Sequence, residues 1–303
     1  MNPSAQIGTG TWLTHEATGK YTAARIGGAA DAVYIARDSL DDLAAVMRAA
    51  WAQNTPVRVI GGGANILIAD KGVRGLLVVN RVAQIQQGDW HDGRNLSVTG
   101  GMGLLALARW CAIHGYSGME WAIGVPGTVG GALVNNAGAH GGTMSDFVQD
   151  IAVLEPSGPK LYTRDDLHFA YRTSLLKQRE DRRFVVLMAT FALPRGEPDT
   201  IRATMDQYSA HRKATQPPGA SLGSIFKNPP GDYAGRLIES CGLKGFGIGG
   251  AQVSPVHANF FVNTGGATAQ DYRALIEHVQ AEVQRQTGVH LEAEIEFVGD
   301  WGH

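Results

Sequence analysis

Residues 124–142 read GVPGTVGGALVNNAGAHGG, and seven of these nineteen residues are glycine. Nearly all the others are small or apolar, and only His140 can carry charge. A flexible linker is rich in glycine and serine and is polar. Here the glycines alternate with Val, Ala, Leu and Pro, which points to backbone packed closely against something. Glycine adopts positive φ and lets a backbone approach a ligand with no Cβ in the way. Amides exposed in such turns form concave anion sites. The plainer alternative, a tight turn between packed strands, stays open on composition alone.

A second glycine turn lies upstream. Val57 to Ile60 is a short, largely apolar run, followed by Gly61-Gly62-Gly63-Ala64-Asn65 and then by Ile66-Leu67-Ile68. The dinucleotide fingerprint needs a strand before its glycines and a long helix after them. Here the apolar triplet runs into Ala69-Asp70-Lys71-Gly72, a turn, and then a further strand-like run to Val79. The order is strand, glycine turn, strand, turn, strand. A Rossmann dehydrogenase is therefore disfavoured, and the two glycine turns point to a different cradle for a pyrophosphate.

Composition narrows the classes further. Of 303 residues 40 are glycine, roughly twice the usual share of about 7%. A net charge of -2 gives no electrostatic footprint for nucleic acid. Cys111 and Cys241 lie far apart in helix-like stretches and read as small core residues, not as a disulfide or metal pair. No metal is expected. The amino terminus, MNPSAQIGTGTWLTHE, shows no basic-then-apolar pattern. The longest apolar run, Phe184 to Leu193, is too short to span a bilayer. These features lead us to expect a cytoplasmic protein without a membrane partner.

Along the chain, helical and strand patterns alternate as in an α+β protein. Ser39 is placed to cap a helix with Leu43, Val46, Met47 and Ala50 on its buried face. Thr268, with Asp271 three residues on, opens another helix, whose apolar face carries Tyr272, Leu275, Ile276, Val279 and Val283 and which Gly288 ends. At the carboxy terminus Leu291, Ala293, Ile295 and Phe297 alternate with Glu292, Glu294 and Glu296, the pattern of one strand with an acidic face. Periodicity does not single out one of those carboxylates. Three other groups have chemical potential. Arg172, in FAYRTS, has the residue type for bidentate binding of a carboxylate or phosphate, or it stacks on Tyr171. Ser224, in GSIFKNP, follows a glycine but lacks the second glycine of a nucleophile elbow. His257 is a ligand to substrate or a satisfied structural histidine.

Taken together, these segments resemble the UDP-N-acetylenolpyruvoylglucosamine reductases, flavoenzymes that complete UDP-N-acetylmuramate in peptidoglycan synthesis. The matching strings are RIGGAA at 25–30, VIGGGANILIAD at 59–70, GVPGTVGGALVNNAGAHG at 124–141 and FAYRTS at 169–174. They continue with GSIFKNP at 223–229, AGRLIESCGLKG at 234–245, GGAQVSPVHANFFVN at 249–263 and LEAEIEFVG at 291–299. Eight ordered segments are far more specific than one glycine motif. Two positions depart from the usual pattern: Ala64 stands for a serine and Ala29 for a proline. The chain looks like the shorter type of the family, without the extra tyrosine-bearing loop.

The resemblance implies an α+β fold of the FAD-binding PCMH/vanillyl-alcohol-oxidase-like kind. Two domains, 1–80 with 291–303 and 81–198, would hold FAD, and a third α+β domain, 199–290, would bind substrate. It implies noncovalent FAD, NADPH as co-substrate and UDP-N-acetylglucosamine-enolpyruvate as substrate, and we expect a monomer. Carried over by motif position, the FAD contacts are Gly61, Gly62, Gly63, Ala64, Asn65 and Ile66, with Gly124, Pro126, Gly127, Thr128, Gly130, Gly131, Ala137 and Gly138. Ser224 would be the proton donor, with Arg172 and Glu294 stabilising charge. Tyr171, Asn228, Lys244 and His257 would surround the sugar nucleotide. Rival readings are another FAD oxidoreductase of the same superfamily and a non-catalytic nucleotide-binding module.

Overall fold

The computed structural model describes residues 7–88 and 95–302, so the first six residues of the amino-terminal stretch lie outside it. Strands β1 (Thr11–Ala17) and β2 (Ala29–Ala36) precede helix α1 (Leu40–Ala52). β3 (Val57–Ile60), β4 (Ile66–Ile68) and β5 (Val73–Asn80) come next. One sheet has the order β1-β2-β5-β3, with β3 and β5 parallel. The chain goes on through β6 (Ile85–Gln87), β7 (Asn95–Thr99), α2 (Leu104–Ile113), α3 (Val129–Asn135), β8 (Gly138–Ala139) and β9 (Gly142–Thr143). β10 (Val148–Glu155), β11 (Gly158–Thr163), the single turn α4 (Leu175–Gln178) and β12 (Val185–Ala192) complete a second, antiparallel sheet of order β11-β10-β12-β7-β6. After α5 (Pro198–Thr215) come β13 (Ser221–Ser224), α6 (Ala234–Ser240), β14 (Gly247–Ile248), β15 (Ala251–Val253), β16 (Phe260–Asn263), α7 (Ala269–Thr287) and β17 (Glu296–Val298). The third sheet runs β13-β16-β15-β14.

The chain divides into two compact units. One holds 32–62 and 75–210 with the amino-terminal stretch to 14, and the other holds 15–31, 63–74 and the chain from 211. In the first unit, α1 packs Leu43, Val46 and Met47 with Leu76 and Val78 of β5. A larger core joins α2, α3 and the antiparallel sheet, and takes in Ile201 and Met205 of α5. In the second unit, Tyr272, Leu275, Ile276 and Val279 of α7 pack with Leu237, Ile238, Val253 and Phe261. Burying each such side chain fully contributes about 1.5–3 kcal/mol.

Helix starts obey the local signals. The Ser39 hydroxyl accepts from Asp41 N and Asp42 N. Thr268 and Asp271 form a reciprocal capping box, and Gly288 ends α7 in the left-handed conformation at φ 74°. Asp70 adds a cap that no local pattern signals: its two carboxylate oxygens accept from Ala269 N at 2.8 Å and Gln270 N at 2.9 Å.

No helix follows the triple glycine. β4 instead pairs in parallel with β17, Ile66 opposite Glu296. Inside the central glycine stretch, however, residues 129–135 form α3, where glycine content alone reads as turn. Glycine is a poor helix former. At Gly130 the amide donates to Gly100 O at 2.8 Å, and a Cβ would stand a tight 3.1 Å from that oxygen.

The carboxy-terminal strand also needs correction. Only Glu296–Val298 is strand, and Phe297 is 38% exposed, not on the buried face. The chain changes partner midway. Residues 292–294 pair antiparallel with 225–227, whereas 296–298 pair with β4. A single alternation does not survive that exchange.

Candidate active site

The two glycine turns meet in the first unit. A side chain at Gly61 would place its Cβ 2.0 Å from Thr128 Oγ1, and one at Gly62 would place it 2.7 Å from Gly127 Cα. Thr128 is buried at the N-cap of α3, yet its hydroxyl makes no capping bond. The amides of Val129 and Gly130 are taken by Met102 O and Gly100 O. Gly124, Pro126 and Gly131 lie on the exposed edge of the stretch. Beside Gly131 a Cβ would find only Thr128 Oγ1, at 3.8 Å. This backbone-lined junction, with open space at Gly131 and a hydroxyl kept off its cap, fits the pyrophosphate of a dinucleotide. A side chain at Gly61 or Gly62 would collide with Thr128 or Gly127 and push the two turns apart.

Arg172 is tied to the same stretch. It holds φ 57°, and its Nη2 donates to Gly138 O at 2.9 Å. Its guanidinium carbon lies 5.5 Å from the ring centre of Tyr171, so the stacking alternative is also realised. The turn is stitched to the end of α3: Asn136 Nδ2 donates to Ala170 O at 3.0 Å, and Ser174 Oγ donates to Val134 O at 2.6 Å. Asn136, buried at φ 43°, makes this link and is not singled out by the motifs alone. An asparagine ending a helix is a recognised left-handed cap, so a signal was present. Ala137 closes the same corner, donating to Ala132 O and accepting from Met144 N.

In the second unit Gly63 turns at φ 60°, its O taking Ala23 N–H, and Ala64 carries no hydroxyl. Ile66 opens β4. Asn65 brackets Ile295, the residue after Glu294: its side chain donates to Glu294 O at 3.0 Å and its carbonyl accepts from Glu296 N at 2.9 Å. The Glu294 amide donates to Ile225 O at 2.8 Å, which sets Glu294 beside the segment that begins at Ser224. Among the described residues none hydrogen-bonds the Ser224 hydroxyl. Gly223 before it turns at φ 73° into open space. The three carboxylates are not equivalent: Glu292 is exposed and paired with Lys227 at 2.5 Å, while Glu294 and Glu296 are half-buried.

The remaining motif residues have protein partners. Asn228 Oδ1 accepts from Ala234 N at the start of α6. Lys244 Nζ lies 2.7 Å from Glu239 Oε1. His257 Nδ1 accepts from Asn259 N at 3.2 Å, which requires the neutral ring to carry its proton on Nε2. Burial holds its pKa below the ordinary histidine value, so the neutral donor form is favoured. Gly235 leaves room for the ring, since a Cβ there would stand 3.1 Å from His257 Cε1.

The family profile described as "UDP-N-acetylenolpyruvoylglucosamine reductase, C-terminal domain" matches residues 214–298. One described as "FAD binding domain" matches residues 31–161. A UDP-N-acetylenolpyruvoylglucosamine reductase of Nostoc sp. is 43% identical over 93% of this chain and 84% of its own. One of Heliobacterium modesticaldum is 41% identical over 97% and 92%. This chain belongs to the UDP-N-acetylenolpyruvoylglucosamine reductase family. The crystal structure of the Thermus caldophilus reductase superposes with a TM-score of 0.79 at 31% identity, covering 95% of this chain and 98% of that one. The α+β flavin fold with a further substrate-binding region therefore holds, as does FAD as the cofactor. The FAD-binding match spans both glycine turns. The reductase match spans Ser224, Asn228, Lys244, His257 and Glu294, and Tyr171 and Arg172 fall between the two.

Proposed function

We propose that the chain reduces the enolpyruvyl group of UDP-N-acetylglucosamine-enolpyruvate to give UDP-N-acetylmuramate for peptidoglycan synthesis, using NADPH and noncovalent FAD, as a monomer in the cytoplasm. The cofactor would supply the chemistry of hydride transfer from NADPH to the substrate's methylene carbon. The glycine turns at 61–66 and 124–138 hold the cofactor. Ser224 Oγ–H gives a proton to the carbon next to the one that receives hydride, a general-acid role. A serine hydroxyl is a weak acid, so its partner has to be the strongly basic enolate. Arg172 and Glu294 stabilise the charge that moves toward the substrate carboxylate, where fixed polar groups act most strongly. Glu294 would do this as a donor, which requires its carboxyl to be protonated. Tyr171, Asn228, Lys244 and His257 Nε2–H bind the sugar nucleotide. We keep the expected division into 1–80 with 291–303, 81–198 and 199–290 as part of this reading.

The observation that supports the chemical assignment is the bond from Glu294 N to Ile225 O, which pairs the segment of Glu294 with the one that follows Ser224. The test is the absorbance spectrum of the purified protein under anaerobic conditions. The protein should be yellow, bleach with NADPH and regain its colour with the UDP-enolpyruvyl sugar, and acid precipitation should release the flavin. Bleaching without recovery by that sugar would favour another flavin oxidoreductase, and a colourless protein that takes up no FAD would refute the reading.

A further inference from the structure

Ser224 stands where the regular ladder fails. Ser221 pairs with Val262 and Ser224 with Phe260, three steps along one strand against two along the other. Gly223 in between lies at φ 73°. The ladder resumes at Ser224, the last residue of β13, only after this irregularity. The segment Ile225–Lys227, just after Ser224, is held from two sides. On one side, Ile225 O accepts from Glu294 N and Lys227 N donates to Glu292 O. On the other side stands one buried residue, Asn259, only 3% exposed. Its carbonyl accepts from Ile225 N at 2.8 Å. Its side chain then acts like a strand edge: Oδ1 accepts from Phe226 N at 2.9 Å, and Nδ2 donates to Phe226 O at 2.8 Å.

We propose that Asn259 is a positioning residue for the proton transfer, holding the main chain of Ile225–Phe226 so that Ser224 and the strand of Glu294 keep their register. The inference rests on the reading of Ser224 as proton donor. An asparagine satisfies both groups of Phe226 because it has an acceptor and a donor at one branch point. Aspartate keeps the shape and loses the donor. In Asn259→Asp, ionised, the carboxylate faces the Phe226 carbonyl oxygen, and the segment must shift. Protonated, the same side chain donates again.

The experiment is anaerobic stopped-flow absorbance of the FAD holoenzyme in each half-reaction. Asn259→Asp should accept reducing equivalents from NADPH at nearly the wild-type rate. Reoxidation by the UDP-enolpyruvyl sugar should slow by about 10–100-fold, the scale of a roughly 1 Å misplacement. That loss, and not the NADPH step, should recover as pH is lowered and the new carboxyl takes a proton. Combined with Ser224→Ala, Asn259→Asp should add little, because both act through one group. Asn259→Ser carries the same comparison if the aspartate variant purifies without FAD. Equal slowing of both half-reactions, no slowing, or full additivity with Ser224→Ala overturns the proposal. If Ser224→Ala slows the sugar step and Asn259→Asp does not, the positioning role alone falls. If Ser224→Ala leaves the sugar step untouched, the proton-donor reading falls and this inference with it.

Discussion

Asn65 Nδ2 donates to the main-chain carbonyl of Glu294 at 3.0 Å, joining residues 229 positions apart in the chain. Because Asn65 O also takes Glu296 N–H, one residue of the upstream glycine turn grips the chain on both sides of Ile295, just after Glu294. Asn65→Ala should therefore slow flavin reoxidation by the sugar by about tenfold or more, within the range that a misplacement of roughly 1 Å produces. If Asn65→Ala changes only the FAD content, its side chain serves the cofactor and not Glu294.

Among the carboxylates of 292–296, Glu294 should stand alone. Glu294→Ala removes the donor and should lower the substrate half-reaction by roughly 10²–10³-fold, as losing one charge-stabilising donor does. Glu292→Gln removes an ion pair whose acidic partner is 68% exposed, and such surface pairs contribute about 0–1 kcal/mol. It should stay near wild type, as should Glu296→Gln. Equal losses at all three would show that negative charge in general, and not Glu294, is what the reaction needs.

His257 gives a pH signature. Its folded pKa is held below the ordinary value of 6.5 by burial. Below about pH 6.5 the unfolded chain takes up a proton that the folded chain resists, so stability falls as pH drops through that value and levels off once the folded ring is charged. Above it His257 contributes no pH dependence. Thermal melts at pH 8 and pH 5.5 should show wild type losing more stability on acidification than His257→Gln. Parallel losses in the two proteins would mean that the imidazole is solvated.

Asp70 belongs to the conspicuous string VIGGGANILIAD but works as a helix cap, accepting from Ala269 N and Gln270 N. Asp70→Ala should cost about 1 kcal/mol, as losing a cap does. In a chain of this size that lowers Tm by roughly 2–4 °C. Turnover per bound FAD should be unchanged. A variant with native Tm and impaired turnover would move Asp70 into the reaction.

Gly61 tests the junction of the two turns. Its absent Cβ would lie 2.0 Å from Thr128 Oγ1. Gly61→Ala should purify with little FAD, measured as the ratio of flavin to protein absorbance, and Gly131→Ala, which meets only Thr128 Oγ1 at 3.8 Å, should lose far less. Full occupancy in Gly61→Ala would mean that the turns separate at no expense to the cofactor.

Much of this protein was legible in its residues because the signals are local. Ser39 and the Thr268–Asp271 box start helices through bonds spanning two or three residues. The run from Val57 to Val79 excludes a Rossmann helix through turn residues alone, and the eight motifs placed the chain in its family. Contacts distant in sequence decided the rest. α3 carries two glycines in its first turn, a poor helix by propensity, yet Gly130 closes tightly on Gly100, its amide bonded to Gly100 O. The segment from Leu291 to Val298 reads as one alternating strand, but it changes neighbour between Glu294 and Glu296, and Phe297 turns outward. Asp70 caps a helix that begins 199 residues later, and Asn259 completes the backbone of Phe226 across 33. Such bonds leave no period in the sequence, because their partners come together only when the chain has folded.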